Sequence, residues 1–245
     1  MNKKNFKAAL VILVIGISVL VIANMDVSIR QGVDGKIGYI HMPLYAKWTQ
    51  FLARHYEYAR ISSDITRGCK TEEEKVLAIL NWTRQNIADV PAGFPLVDDH
   101  ILTIITKGYG NPEQHQDVFT ALCSYSGIPA FWRTVYGGAD RSKYYLSFAR
   151  INGKWCVFDA YYGVYFRNRS GGIASVEDVI SGRPQIIISN IGPIENDGLP
   201  YMDFYTNLTP VSKPMFTRSE KQMPVKRIMY EGAKGLKLIK EDVDL

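Results

Sequence analysis

Three cysteines, Cys69, Cys123 and Cys156, and four histidines, His41, His55, His100 and His115, have the widest chemical reach in this chain. A thiolate beside an imidazole, with a carboxylate to orient the ring, is a nucleophile for acyl transfer or peptide hydrolysis. Their order along the chain argues against such a set. No cysteine lies between Cys69 and Cys123, and no histidine follows His115. Metal chemistry has no support either, because there is no CxxC pair, no HExxH and no i,i+4 histidine pair. The odd number of cysteines and their long spacings select no disulfide. No cofactor is implied.

Each thiol has a plainer reading. Cys123 falls deep in a predicted helix, ~16 Å from its start at 1.5 Å per residue, where the helix dipole no longer favours a thiolate. A core cysteine there acts as a small hydrophobe. Cys156 alternates away from Asp159 on a strand, with Trp155, Val157 and Asp159 sharing the other face. Cys69 stands beside Lys70 just before a helix start, but Glu72, Glu73 and Glu74 oppose thiolate formation. An enzymatic reading, as thiol peptidase or acyltransferase, would rest on Cys69. His115 sits one turn into the Cys123 helix, between Gln114 and Gln116, where it is either a cleft-lining residue or an ordinary buried polar group.

The elements that position these residues can be read from period and punctuation. Leu44, Trp48, Phe51, Leu52, His55 and Tyr58 keep helical spacing after Pro43. Thr71 to Glu74 is a capping box for a helix ending near Ile87. A short helix is expected over 99–106. Asn111 and Pro112 read as N-cap and first helical residue of a helix to about Ser126, which Gly127 stops. Strands follow at Ala130–Tyr136, Tyr144–Arg150 and Lys154–Asp159, and Asn152-Gly153 signals a hairpin between the last two. Ser175 to Asp178 caps a short helix ended by Gly182, and Gln185–Ser189 reads as a strand.

The blocks Gly108-Tyr-Gly-Asn-Pro-Glu-Gln-His-Gln-Asp-Val-Phe-Thr-Ala-Leu-Cys-Ser-Tyr-Ser-Gly-Ile-Pro-Ala130 and Ile151-Asn-Gly-Lys-Trp-Cys-Val-Phe-Asp159 resemble the core of the transglutaminase-like family. The helix Glu74–Ile87 resembles the one preceding that core, so the resemblance covers roughly residues 65–165. It implies a papain-like α+β fold, with helices packed on an antiparallel sheet. It also implies a triad of a Cys at the core-helix start, a His on a following strand and an Asp. Counting from Gly127 and Asp159, the first two positions fall on Pro112 and Tyr144, and only Asp159 matches. The resemblance therefore implies a degenerate domain without acyl-transfer activity. Pro112 suits a first helical turn, Tyr144 could fill the volume of the lost imidazole but reads better as an exposed or packed strand residue, and Asp159 caps a turn. A surviving cleft would be lined by Gln114, His115, Trp132, Tyr144 and Asp159. Aromatics around it would hold a peptide, a glycan or a protein partner, although strands favour aromatics anyway.

Composition fits a globular protein of 245 residues with a net charge of +5. No aromatic–basic cluster supports nucleic acid as a partner. Lys3, Lys4 and Lys7 precede an apolar run from Ala8 to Ala23. A retained signal anchor is favoured by the Ile/Val-rich run, while cleavage after Val21-Ile22-Ala23 would give a secreted protein. Either way the basic end stays cytoplasmic and the rest lies outside. The expected organisation is a membrane segment at 1–25, a polar linker at 26–40, the transglutaminase-like domain at 41–199 and a basic tail at 200–245. Fold-level analogy suggests a binding or scaffolding module in envelope or polysaccharide assembly, with a structural subunit of a membrane complex as the alternative.

Overall fold

Lys3–Ala23 forms α1, an unbroken helix whose apolar side chains, Ile12 and Leu20 among them, are exposed. Its 21 residues give a length of about 31 Å, the thickness of a bilayer's hydrocarbon core. The computed structural model describes residues 3–33, 36–94, 100–136, 143–168, 170–181, 185–188 and 208–239. Two compact units divide the chain at residues 54 and 55.

In the first unit the expected polar linker is a hairpin. β1 (Asp26–Val33) and β2 (Lys36–Pro43) pair antiparallel from Asp26↔Pro43 to Val33↔Lys36. Polar neighbours mask the alternation that sets Val27 opposite Met42 and Ile29 opposite Ile40.

The second unit begins inside α2 (Leu44–Ile65). α3 (Glu72–Asn86) follows, with the Thr71/Glu74 capping box fully formed. A two-residue parallel pairing joins β3 (Ala88–Asp89) to β4 (Tyr109–Gly110) across α4 (Ile101–Lys107). α5 (Pro112–Tyr125) is the central helix. Beyond it runs one antiparallel sheet in sequential order: β5 (Ala130–Tyr136), β6 (Lys143–Ile151), β7 (Lys154–Asp159), β8 (Val164–Arg167) and β9 (Gln185–Ile188). α6 (Val176–Ile180) intervenes before β9, with Ser175 and Asp178 as its capping box. Gly182, expected to end that helix, lies outside the described residues, and the helix is capped at Ser181.

Strand alternation splits the core into two layers. Ala130, Ala149, Ile151, Cys156, Phe158 and Tyr165 face a cluster with Tyr58, Ile79, Leu80, Ile104, Phe119 and Leu122 of the helices. Phe131, Leu146, Phe148, Val157, Val164 and Phe166 face the other way, onto Val176, Val179 and Leu208. Period two dictates this division. The helix and sheet arrangement is the α+β fold expected from sequence.

α5 ends as Gly127 predicts. Gly127 is left-handed, with φ +87°. Its N–H bonds to the Ser124 carbonyl, and that of Ile128 bonds to Cys123. This is a Schellman motif.

The C-terminal stretch departs from the expected aperiodic tail. A 3-10 turn at Glu220–Gln222 leads into α7 (Pro224–Gly235). The segment is docked through specific bonds: Ser124 Oγ to Ser219 Oγ at 2.9 Å and Tyr125 hydroxyl to the Gln222 carbonyl at 2.9 Å. Prolines and lysines obscure the period because only Tyr230 of α7 is buried.

Candidate functional site

The start of α5 is built tightly. Asn111 Oδ1 accepts from the Gln114 N–H at 2.8 Å, and Gln114 Oε1 accepts from the Asn111 N–H at 3.2 Å. Pro112 takes the first helical position, as expected, and is exposed. A Cβ on Gly110 would meet Gln114 Cβ and Oε1 at 3.0 Å, so the turn needs glycine for this close approach. Four successive polar side chains, Gln114, His115, Gln116 and Asp117, then point into buried surroundings with at most 3 % exposure. Helices rarely bury such a run, and each member requires partners.

Gln116 joins α5 to the sheet. Its Nε2 donates to Asp159 Oδ1 at 3.2 Å, while its Oε1 accepts from Ser147 Oγ at 2.6 Å and from the Ala160 N–H at 3.1 Å. Asp159 Oδ1 also accepts the N–H groups of Tyr161 and Tyr162, at 3.0 and 3.1 Å. The carboxylate thus caps the turn after β7, the role expected from its position at a strand end. That turn carries its oxygen toward α5, so Asp159 departs from the face it would share with Trp155 and Val157 by simple alternation.

Asp117 makes the second link. Trp132 Nε1 donates to its Oδ1 at 2.6 Å, and the Arg218 guanidinium lies 3.2 Å from Oδ2. Trp132, an expected cleft residue, is half-buried against this carboxylate and meets Tyr145 edge-on at 5.8 Å. Tyr144 lies elsewhere. It alternates with Leu146 and Phe148 and packs on the far layer of the core. The aromatic on the α5 side is Tyr145, in phase with Ser147. Counting residues along the strand locates the level and misses the face.

His115 is wholly buried. Its Nδ1 lies 2.9 Å from the Asn111 carbonyl and Nε2 lies 3.0 Å from that of Ile87, with Tyr161 packed edge-on at 5.0 Å. A neutral imidazole carries one N–H, and only the cation could serve both carbonyls. Burial opposes the cation and lowers the pKa below 6.5, against the upward pull of both carbonyls. The ring ties α5 to the end of α3 and has no cleft-facing surface. Tyr161 is pushed up to about 12 by burial and by the adjacent Asp89.

The thiols stand apart. Cys123 is fully buried, which raises its pKa. Burial, with Asp178, Glu73 and Glu177 nearby, pushes Cys156 up to about 12. Cys69 is half-buried in the turn after α2, its N–H on the Thr66 carbonyl. All three are free thiols. Among the described residues no group of three His, Cys, Asp or Glu side chains is arranged to hold a metal.

Sequence reasoning missed Gln116, Asp117, Ser147 and Arg218 as partners. The available signal was the run Gln114-His115-Gln116-Asp117 directly before Val118-Phe119, on a helix expected to be covered by the sheet. Chemically, the arrangement is a network of amide, hydroxyl and carboxylate that, among the described residues, includes neither a thiol nor an exposed imidazole.

A family model described as the transglutaminase-like superfamily matches residues 59–166. Among solved structures, the chain is similar to a protein described as a candidate cysteine protease from Cytophaga hutchinsonii, at 20% identity and a TM-score of 0.38, covering 54% of this chain and 46% of that one. A candidate protease from Parabacteroides distasonis gives 17% identity and a TM-score of 0.36, covering 56% of this chain and 36% of that one. A protein described as a TGase gives 11% identity and a TM-score of 0.31, with 54% and 43% covered. The chain thus spans less than half the length of each. No curated protein matches it.

Proposed function

We propose that this chain, whose residues 59–166 are a transglutaminase-like domain, performs no acyl transfer and serves as a binding or scaffolding module on the outer side of a membrane. The observation that carries this reading is Gln116. Its amide fills the space between the carboxylate of Asp159 and strand β6, bonded to Asp159, Ser147 and Ala160 at once. A thiolate needs a helix start and an imidazole within hydrogen-bond reach. Here the helix starts at Pro112, and the neighbouring His115 has both nitrogens on backbone carbonyls. Buried, protonated thiols at Cys123 and Cys156 fit the same reading. The candidate span Asn5–Ala23, with three lysines ahead of its apolar part, supports an anchored domain with a cytoplasmic N-terminus. A role in envelope or polysaccharide assembly would suit such a module and rests on fold analogy.

Two assays test the reading on the full chain in detergent. Incorporation of a fluorescent primary amine into a glutamine-bearing acceptor protein, and thiol-dependent hydrolysis of a peptide library, are both expected at the level of buffer alone. Photocrosslinking in native membranes is expected to trap a specific partner in the wild type. Turnover above background that disappears in Cys69→Ala would replace the binding role with a thiol enzyme built on Cys69.

A further inference from the structure

α2 carries an apolar stripe that begins where α1 ends. Tyr45, Trp48 and Leu52 are 54%, 41% and 40% exposed, and at 3.6 residues per turn they share one side of the helix. Trp48 meets Phe51 edge-on at 5.7 Å. Thr49, at the margin of the same stripe, donates to the Tyr45 carbonyl at 2.8 Å. Gln50 falls on the opposite side of the helix and is exposed.

What covers this stripe follows from its position. The β1–β2 pairing returns the chain to its starting point, with Asp26 opposite Pro43. Met25, two residues beyond α1, then accepts the Leu44 N–H at 2.9 Å. The first turn of α2 therefore sits at the end of α1, whichever way α2 leaves. The successive residues Leu10 to Ile15 of α1 are all exposed, so its apolar surface runs right round the helix, and exposed Ile22 and Met25 carry that surface to the start of α2. Trp48 stands four residues past Leu44, a rise of about 6 Å. The layer between hydrocarbon and water is roughly 5–8 Å deep on each side of a bilayer. With α1 across the hydrocarbon, Tyr45 and Trp48 reach that layer on geometry alone. Tyrosine and tryptophan are the side chains it favours, since an apolar ring and a polar hydroxyl or N–H match its two sides. Leu52 lies a further turn along the same side, so the whole stripe meets lipid when α2 leaves along the surface.

We propose that residues 44–53 of α2 lie along the surface of the phospholipid bilayer that α1 crosses, with Tyr45 and Trp48 among the headgroups and Leu52 turned toward the acyl chains. The proposal rests on the reading of α1 as a retained anchor. The aromatic pair fixes the depth at which α1 stops and the direction in which the chain leaves the bilayer. The contact uses no charge, so a neutral phospholipid suffices for it.

The test uses the full chain in phosphatidylcholine nanodiscs, with Cys69→Ser to remove the one partly exposed thiol. A nitroxide label is carried in turn by Ile15→Cys in α1, Thr49→Cys on the stripe and Gln50→Cys on the opposite side. Collision with oxygen, which concentrates in lipid, is compared with collision with a polar nickel complex, which stays in water. The label at position 15 is expected to meet oxygen and exclude nickel. The label at position 49 is expected to meet nickel severalfold less than the one at position 50, and oxygen more. Trp48→Ser combined with Leu52→Ser is expected to remove that difference and leave position 15 unchanged. Equal nickel collision at positions 49 and 50, with position 15 still in lipid, overturns the proposal and spares the anchor. Low collision with both reagents at position 49 overturns it as well, since that marks cover by protein. Nickel collision at position 15 as frequent as at position 50 overturns the anchor reading and the proposal together.

Discussion

Gln116 holds together a helix, a strand and a turn, so its replacement should be felt well beyond one side chain. Gln116→Leu leaves the Ser147 hydroxyl, the Ala160 N–H and one contact of Asp159 unmet, which costs roughly 2–4 kcal/mol, readable by urea titration in detergent. Gln116→Glu sets a second carboxylate against Asp159. Its folded-state pKa is raised above the unfolded value, so the variant is nearest to wild type below about pH 4 and falls away as pH rises through that raised pKa. A deficit independent of pH would mean that the two carboxylates do not meet. His115 gives the opposite sign. Its pKa is lowered by burial, so the unfolded chain takes up the proton first. Stability is complete above about 6.5 and declines as pH drops below it. Relative to His115→Gln, the wild type should lose up to about 1.4 kcal/mol between pH 7.5 and 5.5. A relative gain on acidification would show that the imidazolium bonds both carbonyls.

At the level of elements, caps and turns were the legible part. Thr71, Asn111 and Ser175 cap the helices their sequences announce. Asn152 and Gly153 take φ 49° and 80° at the β6–β7 turn, as a type I′ hairpin turn requires. Gly127→Val should cost about 1 kcal/mol or more, because no atom crowds the site and the penalty is backbone strain alone. An unchanged denaturation midpoint would contradict the left-handed assignment. The illegible parts share one cause, a pattern set by something other than a single buried face. β1 and β2 form a two-stranded sheet whose alternation is weak. β8 is four residues long, too short to declare a period. α7 buries one tyrosine and exposes its apolar side chains, which defeats a rule that equates apolar with inward. The site was half legible. Residue spacing marked the start of α5 and Asp159, whereas Tyr144 and Tyr145 differ by one residue and a whole sheet face, a distinction set by register.

For the molecule as a whole, the proposed anchor at α1 and the proposed lack of acyl transfer are tested separately. The full chain should sediment with membranes in 1 M salt, and a reporter fused to its C-terminus should fold outside the cytoplasm. Soluble, cytoplasmic full-length protein would contradict the anchor. The central claim, that no thiol is poised for catalysis, is read most directly from cysteine alkylation. The native chain would be treated with iodoacetamide at pH 7 and each cysteine followed by mass spectrometry. Cys123 and Cys156 should remain unlabelled until the chain unfolds, and Cys69 should react no faster than a free thiol in a short peptide. Labelling of Cys69 far faster than that peptide, with Cys69→Ala abolishing an acyl-transfer turnover seen in the wild type, would contradict the account.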